Sequence, residues 1–89
     1  MRTYLISYVP NNSGRKYEDL LNAIQRFPLA WRHLEAFWLV KTDWTARQVR
    51  DYLKPWLETG DQLLVVELTG EGAWTGLNDE AIAWLSQYL

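Results

Sequence analysis

The chain has no cysteine among its 89 residues. Disulfides, thiolate metal ligands and a cysteine nucleophile are therefore excluded. It also has no apolar run near the roughly 20 residues that a membrane-spanning helix needs, and no apolar run of signal-peptide length follows Met1. From these absences we expect a soluble, cytoplasmic protein.

A second absence concerns charge, because no lysine or arginine follows Lys54. Residues 1–54 hold all nine basic side chains against five acidic ones, whereas residues 55–89 hold six acidic side chains and no basic one. A chain polarised in this way can carry a basic surface although its isoelectric point is about 5.2. Such a surface suits the phosphates of a nucleic acid, an acidic protein, or the acidic end of a second copy.

Aromatic residues, by contrast, are abundant: the chain has six Trp, five Tyr and two Phe. Each can bury roughly 150–250 Å², which is more in total than a small core easily hides. Trp and Tyr are favoured at protein interfaces. We therefore predict that some of them lie at an interface, with Trp38, Trp74 and Trp84 as candidates.

Hydrophobic periodicity predicts the first elements. Alternation over residues 3–9 predicts a strand, and an apolar stripe within residues 16–27 predicts a helix that Pro28 ends. Residues 31–42 read as extended chain, which is long for one strand. We expect a break near Glu35 that divides this segment into two antiparallel strands.

In the second half of the chain, capping residues mark where the predicted helices begin. Thr45 and Gln48 fit a capping box that opens a second helix, and Pro55 either kinks this helix or marks its end. Residues 62–68 predict a strand whose continuous apolar run suggests cover on both faces. Asn78 is placed to cap a final helix.

The resulting order, β-α-β-β-α-β with an additional C-terminal helix, is that of an α+β fold of the ferredoxin-like type, in which two helices cover one face of an antiparallel sheet. We expect a single domain over residues 1–89, with a core in residues 1–69 and a C-terminal loop and helix in residues 70–89. The last helix or a second copy would cover the other face of the sheet.

Basic side chains are the strongest binding candidates. Arg47, Arg50 and Lys54 are spaced to lie on one side of the second helix. The full predicted set for contacts with phosphate or carboxylate groups is Arg15, Lys16, Arg32, Arg47, Arg50 and Lys54. The alternative is a solvated helix face that is partly paired with Asp43 and Asp51.

No catalytic motif stands out. His33 is the sole histidine, and no serine is spaced to suggest a catalytic relay with it. The glycine-rich residues 70–76 lack the lysine of a P-loop, so they read as a turn or as a segment that crosses to a partner subunit. RNA-recognition domains share this order of elements, but their glycine-bearing pattern is missing around Phe37. We predict no catalytic residue, no metal site and no cofactor.

Four stretches nevertheless carry a family resemblance: TYLISY (3–8), WRHLEAFWLVKT (31–42), DQLLVVEL (61–68) and GAWTG (72–76). In these the chain resembles the CRISPR-associated Cas-two and VapD superfamily, and most closely its small SinR-like proteins. The resemblance implies a homodimer of ferredoxin-like subunits. Some members of this superfamily are metal-dependent nucleases, and others are RNA-cleaving toxins or structural parts of a DNA-integration complex.

At one position the chain departs from the pattern of the catalytic members. In those proteins an Asp follows the Tyr that ends the first strand, and two copies of it hold a divalent metal across the dimer. Here Val9 follows Tyr8, and a valine offers none of the oxygen ligands that magnesium needs. We therefore expect a dimeric, non-catalytic module that binds a protein or nucleic-acid partner in a defence or mobile-element setting. The alternative is a metal-dependent endoribonuclease that recruits a different ligand.

Overall fold

The computed structural model describes residues 1–11, 17–32 and 37–89. In chain order the elements are β1 (Arg2–Val9), α1 (Glu18–Gln25), β2 (Leu29–Trp31), β3 (Trp38–Thr42), α2 (Ala46–Leu53), a single 3₁₀ turn (Lys54–Trp56), β4 (Gln62–Leu68) and α3 (Asp79–Tyr88). The α+β class predicted from the sequence is confirmed, and so is the additional C-terminal helix. Among the described residues, no helix combines the length and the hydropathy of a membrane span.

The four strands form one sheet in the order β2-β3-β1-β4, and every neighbouring pair is antiparallel. Strand β1 is therefore central, while β2 and β4 are the edges. Its register places Tyr4 between Val40 of β3 and Glu67 of β4, and it places Val9 opposite Gln62. Because side chains alternate along a strand, this register decides which residues share a face.

The first face of the sheet, which bears Tyr4 and Ile6, packs against α1 and α2. The largest fully buried side chains all belong to this layer: Tyr4, Ile6, Leu20, Ile24, Leu53, Val40 and Val49. The Tyr52 hydroxyl of α2 donates a hydrogen bond of 3.0 Å to the carbonyl of Ala23 in α1. This layer is the principal core of the molecule.

The second face, which bears Thr3 and Leu5, is partly covered by α3. Trp31, Leu39, Ala81 and Leu85 form its buried cluster. The Trp31 and Trp84 rings stack with their centroids 5.6 Å apart. The C-terminal turn of α3 is held by Lys41 Nζ, which donates to the Tyr88 carbonyl at 2.8 Å. A cation at this position also complements the negative end of the helix dipole.

The predicted helix signals have the expected local geometry. The Thr45 hydroxyl accepts from the backbone N–H of Gln48, whose side chain accepts from the N–H of Thr45, so the predicted capping box is confirmed. Asn78 caps α3 by accepting from the N–H of Ala81 at 2.9 Å. Of the two outcomes expected at Pro55, the structure has the second: α2 ends and a 3₁₀ turn containing Pro55 follows.

Two expectations about the strands need correction. Strand β2 begins at Leu29, directly after Pro28, and not at Trp31. The cover expected on both faces of β4 was wrong for this chain alone, because Leu64 is 54% exposed and Val66 is 38% exposed. The predicted break near Glu35 falls outside the described residues, although the two flanking strands are antiparallel as expected.

Candidate interaction surface

An apolar strip lies on the second face where α3 does not reach. It consists of Val9, Leu64 and Val66, which are 56%, 54% and 38% exposed. Leu64 is directly opposite Ser7, and Val66 is directly opposite Leu5, so the register brings the strip together across β1 and β4. Apolar side chains that are gathered in this way on an otherwise covered sheet face mark a surface suited to a partner.

The strip adjoins an open edge of the sheet. Within the described residues, β4 pairs with β1 alone, so its other side has no strand partner. An edge strand of this kind presents backbone donors and acceptors that can pair with another chain. Seven residues of edge strand and an apolar strip therefore form one continuous surface.

Two of the predicted binding residues flank this edge. Arg47 and Arg50 line a shallow cavity of about 280 Å³ together with Leu63, Leu64 and Val65. Arg50 already binds the Asp51 carboxylate, with Nε and Nη2 at 3.0 and 2.9 Å from Oδ1. The surface at β4 thus combines exposed hydrocarbon with positive charge on the side of α2.

Of the other predicted binding residues, Arg32 does not join this patch. The Arg32 guanidinium lies 5.5 Å from the centroid of the Trp38 ring, directly after β2, which is the opposite edge of the sheet. Lys54 lies in the 3₁₀ turn. Arg15 and Lys16 lie outside the described residues, as does His33. Arg32 is thus separated by the width of the sheet from the pair at β4.

The three tryptophans predicted at an interface lie in different environments. Trp38 is 6% exposed and belongs to the core under α1 and α2, which leaves little of its surface for a partner. Trp84 is half-buried against Trp31. Trp74 is 39% exposed and lines an apolar cavity of about 230 Å³ between the second face and the segment that follows β4. An interface role is thus sterically open for Trp74 and in part for Trp84.

The glycine-rich residues 70–76 connect β4 to α3 without forming a helix or strand of their own. Gly70 and Gly76 have φ values of +99° and +77°, a left-handed conformation that glycine adopts at little cost. Trp74 brings this segment against the second face. These positions agree with the turn predicted from the sequence, while a crossing to a partner subunit stays a prediction.

A carboxylate near the end of β1 was not singled out from the sequence. Asp61 accepts hydrogen bonds from the N–H of Asn11 at 2.7 Å, the hydroxyl of Tyr17 at 2.9 Å and the N–H of Glu58 at 2.8 Å. It thereby ties the chain after β1 to the turn before β4. Three donors on one carboxylate indicate a structural role.

Val9 is the last residue of β1 and is exposed. Among the described residues, no group of three or more His, Cys, Asp or Glu side chains is arranged to hold a metal ion. At this end of β1, Val9 and its neighbours in the apolar strip present an exposed hydrocarbon surface.

Comparisons with protein-family models, with curated proteins and with solved structures find no match.

Proposed function

We propose that this protein is a non-catalytic, homodimeric binding module with a ferredoxin-like fold. Two features support the fold assignment. The first 68 residues follow the order β-α-β-β-α-β. In the sheet, β1 and β2 are parallel with β3 between them, and β3 and β4 are parallel with β1 between them. Helices α1 and α2 therefore each join parallel strands that are separated by a third strand, as in a split β-α-β arrangement.

The observation that carries the proposal is the apolar strip beside the open edge of β4. Leu64 and Val66 sit on a strand that lacks a second partner within the described residues. A second copy is the occupant we favour, because the polarised charge of the chain gives two copies complementary surfaces. Arg47 and Arg50 flank one side of the edge, and the acidic residues of the chain after Lys54 include Glu67 on β4 itself.

A nucleic-acid partner for the same surface has less support. Phosphate binding is strongest when several cations track one backbone, but Arg32 lies at the sheet edge opposite to Arg47 and Arg50. Arg50 is also engaged by Asp51. The defence or mobile-element setting rests on the family resemblance of the sequence alone.

The proposal is tested by measuring mass in solution. We expect sedimentation equilibrium to give a two-chain mass at micromolar concentration, and Leu64→Lys to shift the protein to one-chain mass because it places a charge in the apolar strip. Ser86→Lys adds the same charge on the exposed side of α3 and serves as the matched control. A one-chain mass for the unaltered protein at every concentration and ionic strength contradicts the proposal.

A separate measurement addresses the non-catalytic assignment. Purified protein is incubated with single- and double-stranded RNA and DNA in magnesium or manganese at several pH values. We expect no cleavage, because Val9 replaces the oxygen ligand that the catalytic members use. Cleavage of RNA that stops on addition of a chelator would establish the endoribonuclease alternative.

A further inference from the structure

A second concave surface lies at the opposite end of the sheet, where β1 begins. It is a cavity of about 310 Å³, and its lining includes Arg26, Phe27, Pro28, Asp43, Trp44 and Tyr52. We refer to it as the Trp44 cavity. Thr42 also lines the cavity and is opposite Arg2 in the register, so the cavity is separated from Val9 by the length of β1.

Two hydrogen bonds hold the backbone of Trp44 in place. The carbonyl of Trp44 accepts a 2.7 Å hydrogen bond from the buried Tyr4 hydroxyl, and its N–H donates to Thr42 Oγ1 at 3.2 Å. The capping box of α2 begins at the next residue. Trp44 therefore has little backbone freedom to lose when a ligand binds, and preorganisation of this kind favours affinity.

The indole ring of Trp44 is also oriented by its neighbours. It meets Phe27 and Tyr52 edge to face, at centroid distances of 5.7 and 5.3 Å and interplanar angles of 79° and 73°. It is nevertheless 40% exposed. A large aromatic surface that is fixed, accessible and set in a concavity is suited to stacking against a planar ligand.

Two charged residues that line the Trp44 cavity indicate which chemical groups a ligand would present there. Arg26 is exposed directly after α1, where its guanidinium can bind a phosphate. Asp43 is also exposed, and a carboxylate can accept a hydrogen bond from the exocyclic amino group of a base such as cytosine. The Oδ1 atom of Asp43 is 3.7 Å from the Met1 amino group, a solvent-exposed pair that competes weakly for it.

We infer that the Trp44 cavity binds one nucleobase of a single-stranded nucleic acid, with Trp44 stacking on the base, Arg26 contacting the adjacent phosphate and Asp43 accepting from the base amino group. This combination of an aromatic platform and a cation is the one that single-strand-binding surfaces use. The inference concerns a site remote from the apolar strip and does not depend on self-association.

The test is a fluorescence anisotropy titration with labelled oligonucleotides of about eight nucleotides, either all dC or all dT, at low salt. We expect Trp44→Leu to weaken binding about tenfold, in line with the loss of one stacked base. Trp74→Leu removes a tryptophan of nearly equal exposure, 39% against 40%, and is the matched control. We expect it to leave the affinity unchanged.

Two further variants test the rim. Arg26→Gln should make the negative slope of log affinity against log salt shallower by about 0.7, as expected for one lost phosphate contact to a single strand. Arg26 is exposed, so we expect its substitution to leave the fold intact. This variant therefore tests the site even if near-ultraviolet circular dichroism shows that Trp44→Leu has lost its tertiary packing. Asp43→Ala should remove a preference for the dC over the dT oligonucleotide.

Three results would overturn the inference. The first is the absence of binding by the unaltered protein at low salt. The second is an equal loss of affinity in Trp44→Leu and Trp74→Leu, which would place the stacking surface elsewhere. The third is an unchanged salt dependence in Arg26→Gln. None of them bears on the two-chain mass expected from the proposed function, so the two ideas fail independently.

Discussion

The two faces of the sheet are covered to different extents. On the first face, two helices bury Tyr4, Ile6 and Val40 to 1% exposure or less. On the second face, a single helix buries Leu39, yet Val66 on the edge strand β4 remains 38% exposed. The first face therefore supplies the principal core, and the second face keeps part of its apolar surface exposed.

This difference follows from where the helices attach. Helices α1 and α2 each join two strands of the sheet and therefore lie across it. Within the described residues, helix α3 does not connect two strands. It covers the part of the face to which Lys41 and Trp31 hold it. The uncovered part is the end of β1 at Val9 and the facing part of β4.

Because the first face is more fully buried, the same side-chain truncation should reduce the free energy of unfolding more there than on the second face. Leu53 is 0% exposed under α2, and Leu85 is 8% exposed in the second-face cluster. We expect Leu53→Ala to lower the free energy of unfolding by about 4 kcal/mol and Leu85→Ala by about 2 kcal/mol, both within the usual range for buried leucines. Urea denaturation measures both values.

Leu53→Ala and Leu85→Ala delete the same atoms, so each is the control for the other. Equal losses in the two variants would mean that the second face contributes as much to folding as the first. The two faces would then differ in accessible surface but not in their contribution to stability.

Much of the fold could be predicted because its signals are local. Thr45 and Gln48 are three residues apart, and their capping box forms within one helical turn. Asn78 caps α3 for the same reason. Alternation along residues 3–9 likewise needs only the geometry of one strand to predict β1. These features depend on nearest neighbours and not on the packing of distant segments.

The candidate surfaces could not be predicted in the same way, because they depend on distant segments. The apolar run of β4 reads as a doubly covered strand, and only the limited reach of α3 leaves Leu64 exposed. Spacing along α2 relates Arg47 to Arg50, but strand order alone places Arg32 at the other edge. Trp44 gave no signal, since its accessibility depends on Phe27 and Tyr52 from two other segments.

A smaller loss of stability is expected when the contacts that hold α3 on the second face are removed. Lys41 Nζ donates to Thr3 Oγ1 at 3.0 Å as well as to the Tyr88 carbonyl, and Thr3 donates to the same carbonyl at 2.9 Å. Lys41→Met keeps the length of the side chain but removes the cation. We expect it to cost about 1 kcal/mol, since Lys41 is only half-buried and a hydrogen bond to a charged group is worth little more than this when solvent shares it.

The informative measurement is hydrogen exchange resolved by segment. In Lys41→Met, the amides of α3 should exchange faster while those of α2 keep their protection, because local opening of a weakly attached element requires less free energy than global unfolding. Arg47→Met removes a cation that does not contact α3 and is the control. If α2 and α3 lose protection together in Lys41→Met, the two faces open as one unit, and α3 is part of a single cooperative core and not a separately attached cover.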